Sequence, residues 1–415
     1  MSRSFRRGAT ALVSASIVLG ATAIAPAIPV LAQDDGCTVE VWGDEITHLA
    51  LGKAAEAYTA ETGIEVELIS VPFSTINSDY ETQVPAGGGP DLIIAPGPFD
   101  AWVASGIASP LELGDALDAF QPAAAAAALV DGKAYMVPLW TENIGLIRNK
   151  ALVPEAPATM DDLIAAGQAL VDAGTTELVV AIPMDPEGGN AYLMYPFQTS
   201  FGDHWFARNE DGSFDYSQPT LDTEAGLAFA RALGEWGASG AISPDVGFDI
   251  AVDRFITGKT PFLVTGPWDL PAIKEAGIDY AIDLLPSAGG SVAAPWLGVF
   301  GLVLNPKSDC ALAATDFATR FMVTPEAQVT LFEVGSYPPA HKAAFEQVAS
   351  DPDVKAWGEN GVAAQPLFGD PVANGATWGP IGKTQVAILR GQGDPETLWK
   401  EMAAQVAAGL EEPAS

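Results

Sequence analysis

The segment Thr260–Leu270, TPFLVTGPWDL, decides how the chain is read. Its apolar run Pro261–Val264 is short and rich in β-formers, and it stops at the breaker pair Gly266-Pro267. That pattern predicts a buried strand with a turn at its end. Trp268 then stands at the mouth of an element, where it need not be core. Just upstream, Asp249–Lys259 (DIAVDRFITGK) spaces Ile250, Phe255 and Ile256 for a short amphipathic helix closed by Gly258. Helix, tight loop, strand and terminal indole make one unit of an α/β layer.

The alternation continues in both directions. Upstream, Met160–Ala173, Tyr192–Phe201 and Thr223–Trp236 read as helices and Leu178–Ile182 as a strand; downstream, Tyr280–Leu285 reads as a strand. Nearer the start, Val39–Trp42, Ile64–Ser70 and Leu92–Ala95 read as strands. They are separated by a helix over Ile46–Thr62, with Gly63 in the place of its C-cap, and by a loop and helix over Pro72–Val84. This βαβ beginning predicts a parallel sheet. Asp131–Lys150 (DGKAYMVPLWTENIGLIRNK) turns at Asp131-Gly132 and then reads as two extended pieces around Pro138. Trp296–Leu304 alternates, Leu312–Phe321 and the segment from His341 are helical, and a last helix follows Asp394-Pro395 up to Leu410. Gly87–Gly89 is not a phosphate loop: no Lys-Ser/Thr follows, and the glycines precede a strand instead of opening a helix.

With 415 residues, 48% hydrophobic and 17% charged, the chain is long enough for two cores and globular in composition. Its 42 glycines and 32 prolines follow no period, which points to many tight turns and away from a repeat array. A net charge of −34 repels nucleic acid and anionic lipid. It fits either a solvated surface or an acid-rich site for a cationic solute. Arg3, Arg6 and Arg7 precede the small-residue apolar run Ala9–Ala25, and Val30-Leu31-Ala32 offers a cleavage point before Gln33; residues 1–32 thus read as a signal peptide. No later stretch has the uninterrupted apolar length to span a bilayer. The two cysteines, Cys37 and Cys310, read as a disulfide or two inert thiols in an exported chain.

Several stretches carry a family resemblance: VEVWGDE (Val39–Glu45), AAEAYTAETGIEVE, GGGPDLIIA, the Asp131–Lys150 segment, FITGKTPFLVTGPWDL with YAIDLLP after it, and TWGPIGKTQVAILRGQGDPETLW. In this order and spacing the chain resembles the extracellular solute-binding proteins of ABC sugar importers, in particular the maltose/maltodextrin-binding type, over nearly all of its length past the signal segment. The resemblance implies an α/β fold of two lobes, the periplasmic-binding-protein-like type II. Each lobe would be a mainly parallel sheet flanked by helices, with a hinge between them. Lobe 1 would comprise residues 37–141 and 300–338, and lobe 2 residues 142–299 and 339–415. It also implies a disulfide between Cys37 and Cys310, which would tie two chain segments of lobe 1.

Sugars present apolar C–H faces and rings of hydroxyls, so a site for them combines flat aromatic rings with fixed carboxylates or amides. The resemblance places ligand contacts at Trp268 and Trp378, as stacking rings of the second lobe, and at Glu142, on the crossing strand, with Thr141 and Asn143 alternating away. Asp44 and Glu45 stand after the first strand, where the family has an Asp-Lys pair in a loop two residues longer. Tyr192 matches a site tyrosine, with Asn190 where the family has a glutamate. Trp140 could refill the wall left open at Ala95–Asp100, which lacks the family's Trp and Asp-Arg pair. Trp296, after Pro295, would face the cleft. Gly379 and Gly382 replace a tyrosine and an arginine. These losses favour a small sugar over a long dextrin.

The function implied is capture of a neutral mono- to oligosaccharide, maltose- or trehalose-like, by a monomer exported to the periplasm or the outer face of the cell membrane, which delivers it to an ABC permease. No cofactor, metal or nucleic acid takes part. A first alternative keeps the fold and binds a polyamine or other cation through acids and aromatic faces. A glycoside hydrolase is the second, since Asp44 or Glu45 with Glu142 could imitate its carboxylate pair. Against catalysis stand the absence of a Gly-x-Ser-x-Gly elbow and three histidines, His48, His204 and His341, without metal-ligand spacing.

Overall fold

The computed structural model describes residues 37–210 and 213–411; the signal segment expected over 1–32 lies outside them. Strand Thr38–Gly43 opens the fold, followed by helix Thr47–Thr62, strand Glu65–Ser70, helix Ile76–Gln83 and strand Leu92–Pro96. Both later strands pair in parallel with the first, through Val41↔Leu68 and Val41↔Leu92. The first helix turns Ala50, Leu51, Ala54, Ala55 and Tyr58 inward, a 3.6-residue stripe that seals one face. It ends at Gly63, whose φ of 77° supplies the left-handed cap.

Two long strands then cross the sheet. Trp296–Leu304 lies antiparallel to Leu92–Pro96 on one edge and to Val137–Glu142 on the other. The expected break at Pro138 does not occur. Pro138 sits inside Val137–Glu142, opposite a register shift at Phe300/Gly301, where the irregular ladder tolerates a residue without an N–H. The interruption comes at Asn143-Ile144, before strand Gly145–Asn149. Asp131 and Gly132, both at positive φ, turn the small hairpin Leu129–Val130/Lys133–Ala134.

The second sheet departs from the mainly parallel arrangement. Gly145–Asn149 lies between Phe262–Thr265 and Tyr280–Asp283 and is antiparallel to both. The reason is its origin: the two flanking strands follow helices Phe248–Ile256 and Leu270–Glu275, whereas Gly145–Asn149 enters from the first sheet. Leu178–Ile182 forms no regular strand; only Ala181 bridges to Leu263, in parallel.

The buried side chains form one core from Val39 to Trp140 and Val299 to Ala340. A second core runs from Ile144 through Trp296 and resumes at Phe368, with a satellite around Ile147, Leu263 and Trp357. The chain changes core between Trp140 and Ile144 and again between Trp296 and Val299, within two continuous extended segments. The result is two lobes joined by strands. Cys37, before the first strand, is bonded to Cys310, at the start of helix Ala311–Asp316, with 5.9 Å between Cα atoms. Among the described residues no helix is long and apolar enough to cross a membrane.

Candidate ligand-binding site

The first lobe contributes an acidic and aromatic corner. Asp44 follows the first strand; its Oδ1 accepts the N–H groups of Ile46 (2.9 Å) and Thr47 (2.7 Å), while Thr47 Oγ1 accepts the Asp44 N–H. This reciprocal tie satisfies free donors of the helix N-terminus and fixes the carboxylate at the end of the strand. Glu45 behaves differently. It is exposed and turned away, its Oε2 accepting the Phe73 N–H at 3.3 Å.

Glu142 closes the crossing strand and is only 8% exposed. Burial pushes its carboxyl up to about 8, Trp140 opposes the shift, and the nearby Asp44 charge adds to it. Tyr192 answers from the second lobe, on helix Ala191–Thr199. Its hydroxyl is buried without a hydrogen-bond partner. Burial, and then the Glu142 charge, lift that phenol far above its ordinary range, so the two groups are electrostatic neighbours. Asn190, at a position where the resemblance has a glutamate, instead caps the helix by accepting the Leu193 N–H at 3.0 Å.

Trp140 belongs to this corner, although not as an open ring. It has no exposed surface and stacks on Tyr337 (centroids 4.5 Å apart, 22° between planes) and on Phe300 (5.7 Å, 11°). A strand residue paired on both sides points into the core, and its indole fills it. What it offers is its Nε1, which has no hydrogen bond. Trp268 keeps part of its surface exposed and packs against both cores at once. It occupies a single 3₁₀ turn, Pro267–Asp269, set by the proline after the strand end.

Two expected rings do not join this cluster. Trp296 is fully buried, stacked on Tyr195 at 3.9 Å and set edge-on to Trp205 and Phe368. Its end of the strand pairs with Gln365–Pro366, which covers it. Trp378 lies inside helix Pro371–Leu389 and does not open it. Its indole, partly exposed, lies parallel to Phe368 and donates to Asn374 Oδ1 at 2.9 Å. Its contacts are with the second-lobe rings Trp205, Trp296 and Phe368.

Two members of the cluster escaped sequence reasoning. Tyr337, 2% exposed, follows Ser336 at φ 60°, and burial raises its phenol, with Glu142, Asp44 and Asp269 adding to the shift. Asp269 is pushed up to about 6 by burial, against hydrogen bonds from Thr265 and Trp268. The acid directly after Gly-Pro-Trp and the tyrosine before Pro338-Pro339 were the available signals. The charges that shift Glu142 and Tyr337 upward are those of acids, and the Lys274 ammonium is spent on the hydroxyl of the neighbouring Ser336 and on Asp353. No group of three or more His, Cys, Asp or Glu suited to a metal occurs among the described residues.

Two α/β lobes joined by crossing strands, with a half-open indole packed against both cores, define a two-lobe fold. The chain belongs to the bacterial extracellular solute-binding protein family, whose model matches residues 53–360. It is therefore an exported protein, and its relatives are transport proteins, not enzymes. It is similar to the galactooligosaccharide-binding protein of Bacillus subtilis (strain 168), 24% identical over 388 residues, covering 90% of this chain and 89% of that one. It is also similar to the maltotriose-binding protein of Pyrococcus abyssi, 26% identical over 312 residues, 72% of this chain and 64% of that one. Among solved structures it matches the Thermus thermophilus maltotriose binding protein bound with maltotriose. There the TM-score is 0.79 at 26% identity, covering 89% of this chain and 99% of that chain.

Proposed function

We propose that this protein is the solute-binding component of an ABC sugar importer and captures a neutral mono- to oligosaccharide between its lobes. The observation that carries the reading is the coupling of Glu142 to the unpartnered Tyr192 hydroxyl across the lobes, in a fold whose half-open Trp268 touches both cores. A sugar would cover the indole with a C–H face and supply hydroxyls to the polar groups. The names of the relatives, specific for galacto- and malto-oligosaccharides, support the same class. In this reading lobe 1 is residues 37–141 and 300–338, and lobe 2 is residues 142–299 and 339–415. The two close as rigid bodies about the crossing strands. Residues 1–32 direct export and are removed, the mature monomer does no catalysis, and its closed form docks on a membrane permease.

Calorimetric titration of the signal-free chain with maltose, maltotriose, trehalose and a galacto-oligosaccharide tests this, with Trp268→Ala alongside. Saturable binding of one sugar that the variant loses is the expected result. The acids Asp44, Glu142 and Asp269 also fit a cationic solute. Spermidine binding that weakens steeply with salt, with no sugar bound, would replace the sugar reading.

A further inference from the structure

We propose that Glu142 is a specificity-determining residue that works as a neutral hydrogen-bond donor, so that the site selects an uncharged, oxygen-rich ligand offering acceptor atoms to Glu142 and Tyr192. This rests on the reading of the cluster as the ligand site. Glu142 pairs across the ladder with Gly298, and its side chain lies over that glycine: a Cβ there would come within 3.1 Å of Glu142 Cγ. The carboxyl group therefore occupies a hollow floored by backbone. Among the described residues none makes a hydrogen bond to it, and Trp140 Nε1, the donor that acts on it, stops short of one.

The elements around Glu142 supply no counter-charge. The loop after the first strand brings Asp44, whose Oδ1 already accepts two backbone N–H groups. Helix Ala191–Thr199 brings Tyr192, and the segment running beside the crossing strand at Pro338-Pro339 brings Tyr337. The return strand brings Gly298. An ionised carboxylate here would be buried, unpaired and next to a second anion, which burial strongly disfavours. Holding the proton avoids that state, in line with the upward shift to about 8.

A protonated Glu142 and its electrostatic neighbour, the unpartnered Tyr192 phenol, then each hold a hydroxyl proton in need of an acceptor. An ammonium ligand brings donors and no acceptors, so it leaves both hydroxyl protons unmet. Hydroxyl and ether oxygens of a polyol meet them. The acidic appearance of the site in sequence is thus misleading about the charge it presents.

Two measurements test the assignment. In the first, maltotriose is titrated into the wild type and Glu142→Gln at pH 6.5, 7 and 9. Gln keeps the shape and a neutral donor, so its affinity at pH 6.5 should stay within about threefold of wild type. Wild-type binding should weaken about tenfold between pH 7 and 9, as the proton is lost, while the variant stays flat. A loss above tenfold in Glu142→Gln at pH 6.5, or a flat wild-type profile, overturns the proposal. The second needs no ligand: in protein labelled with ¹³C at the glutamate carboxyls, the resonance missing from Glu142→Gln should titrate near 8. A midpoint near 4.5 overturns the assignment. If no sugar binds at all, the proposed function fails, and the resonance still decides the state of Glu142.

Discussion

Two tryptophans of this chain follow a proline at the junction of two elements, and they end in opposite environments. Pro267-Trp268 turns out of a strand that has just ended, in one 3₁₀ turn, and leaves the indole partly open where the two cores meet. Pro295-Trp296 turns into a strand that is about to begin, and Gln365 at once pairs with its backbone. That second indole is sealed among Tyr195, Trp205 and Phe368. The same dipeptide therefore yields a partly open ring or a core ring according to whether the element lies behind or ahead of it. After a strand the ring stands at the rim. Before one, the pleat carries it inward.

The contrast breaks first on stability. Trp296→Ala should cost about 3–5 kcal/mol, the usual penalty for emptying a buried aromatic site. Denaturant unfolding of the ligand-free protein measures it, and a loss below about 1 kcal/mol would show that the ring does not hold the second lobe together.

The core around Trp296 has its own titrating support, which sharpens the comparison. Asp203, 1% exposed, accepts from Gln198 Nε2 at 2.7 Å and from Thr223 Oγ1 at 3.1 Å, and Gln198 in turn accepts from the Trp205 indole. Burial lifts Asp203 to about 7 from the ordinary 3.8, against those hydrogen bonds. The folded chain therefore holds this proton more tightly than the unfolded one. Its contribution to stability is complete below about pH 4, falls as pH rises through 7, and is constant above. Asp203→Asn should remove roughly 2–3 kcal/mol of that decline. Unfolding curves at pH 5, 7 and 8.5 check it; a wild-type stability that rises over this range would contradict the buried, protonated acid.

Much of this architecture was legible because local rules and packing agree. The return strand Trp296–Leu304 reads from its alternation, and the helices Thr47–Thr62, Met160–Asp172 and Pro395–Leu410 read from their caps and periods. Pro138 misled because its missing donor is excused only by the irregularity on the partner strand, which no local reading can contain. The cluster was harder for the same reason. Tyr337 meets Trp140 from nearly two hundred positions away in the sequence, and nothing in its own neighbourhood says so. Trp140 and Trp296 were expected as open faces because an aromatic at a junction carries no mark of the side it will show. Glu45 and Asp44 are adjacent in sequence, yet the helix start claims one and solvent the other.

Trp268 provides the smaller effects, and they turn on its neighbour. Trp268→Ala should cost only about 1–2 kcal/mol of stability, since the ring is partly open, while weakening sugar binding tenfold or more. Gly266→Ala probes the same ring without removing it. Gly266 has an ordinary φ of −112°, so its need for glycine is one of space. A Cβ at this position would lie 2.1 Å from Trp268 Cζ3 and 2.4 Å from Cη2, inside the indole as it stands. The ring has to tilt off the backbone to make room for it. We expect Gly266→Ala to stay folded, with less than about 2 kcal/mol lost, to shift Trp268 fluorescence, and to bind sugar several-fold less tightly than wild type. Unchanged binding with unchanged fluorescence would mean that the indole does not rest on Gly266. Unchanged binding with a shifted spectrum would mean that the open face of Trp268 is not where the sugar lies, and the distinction between the two Pro-Trp corners would then concern packing alone.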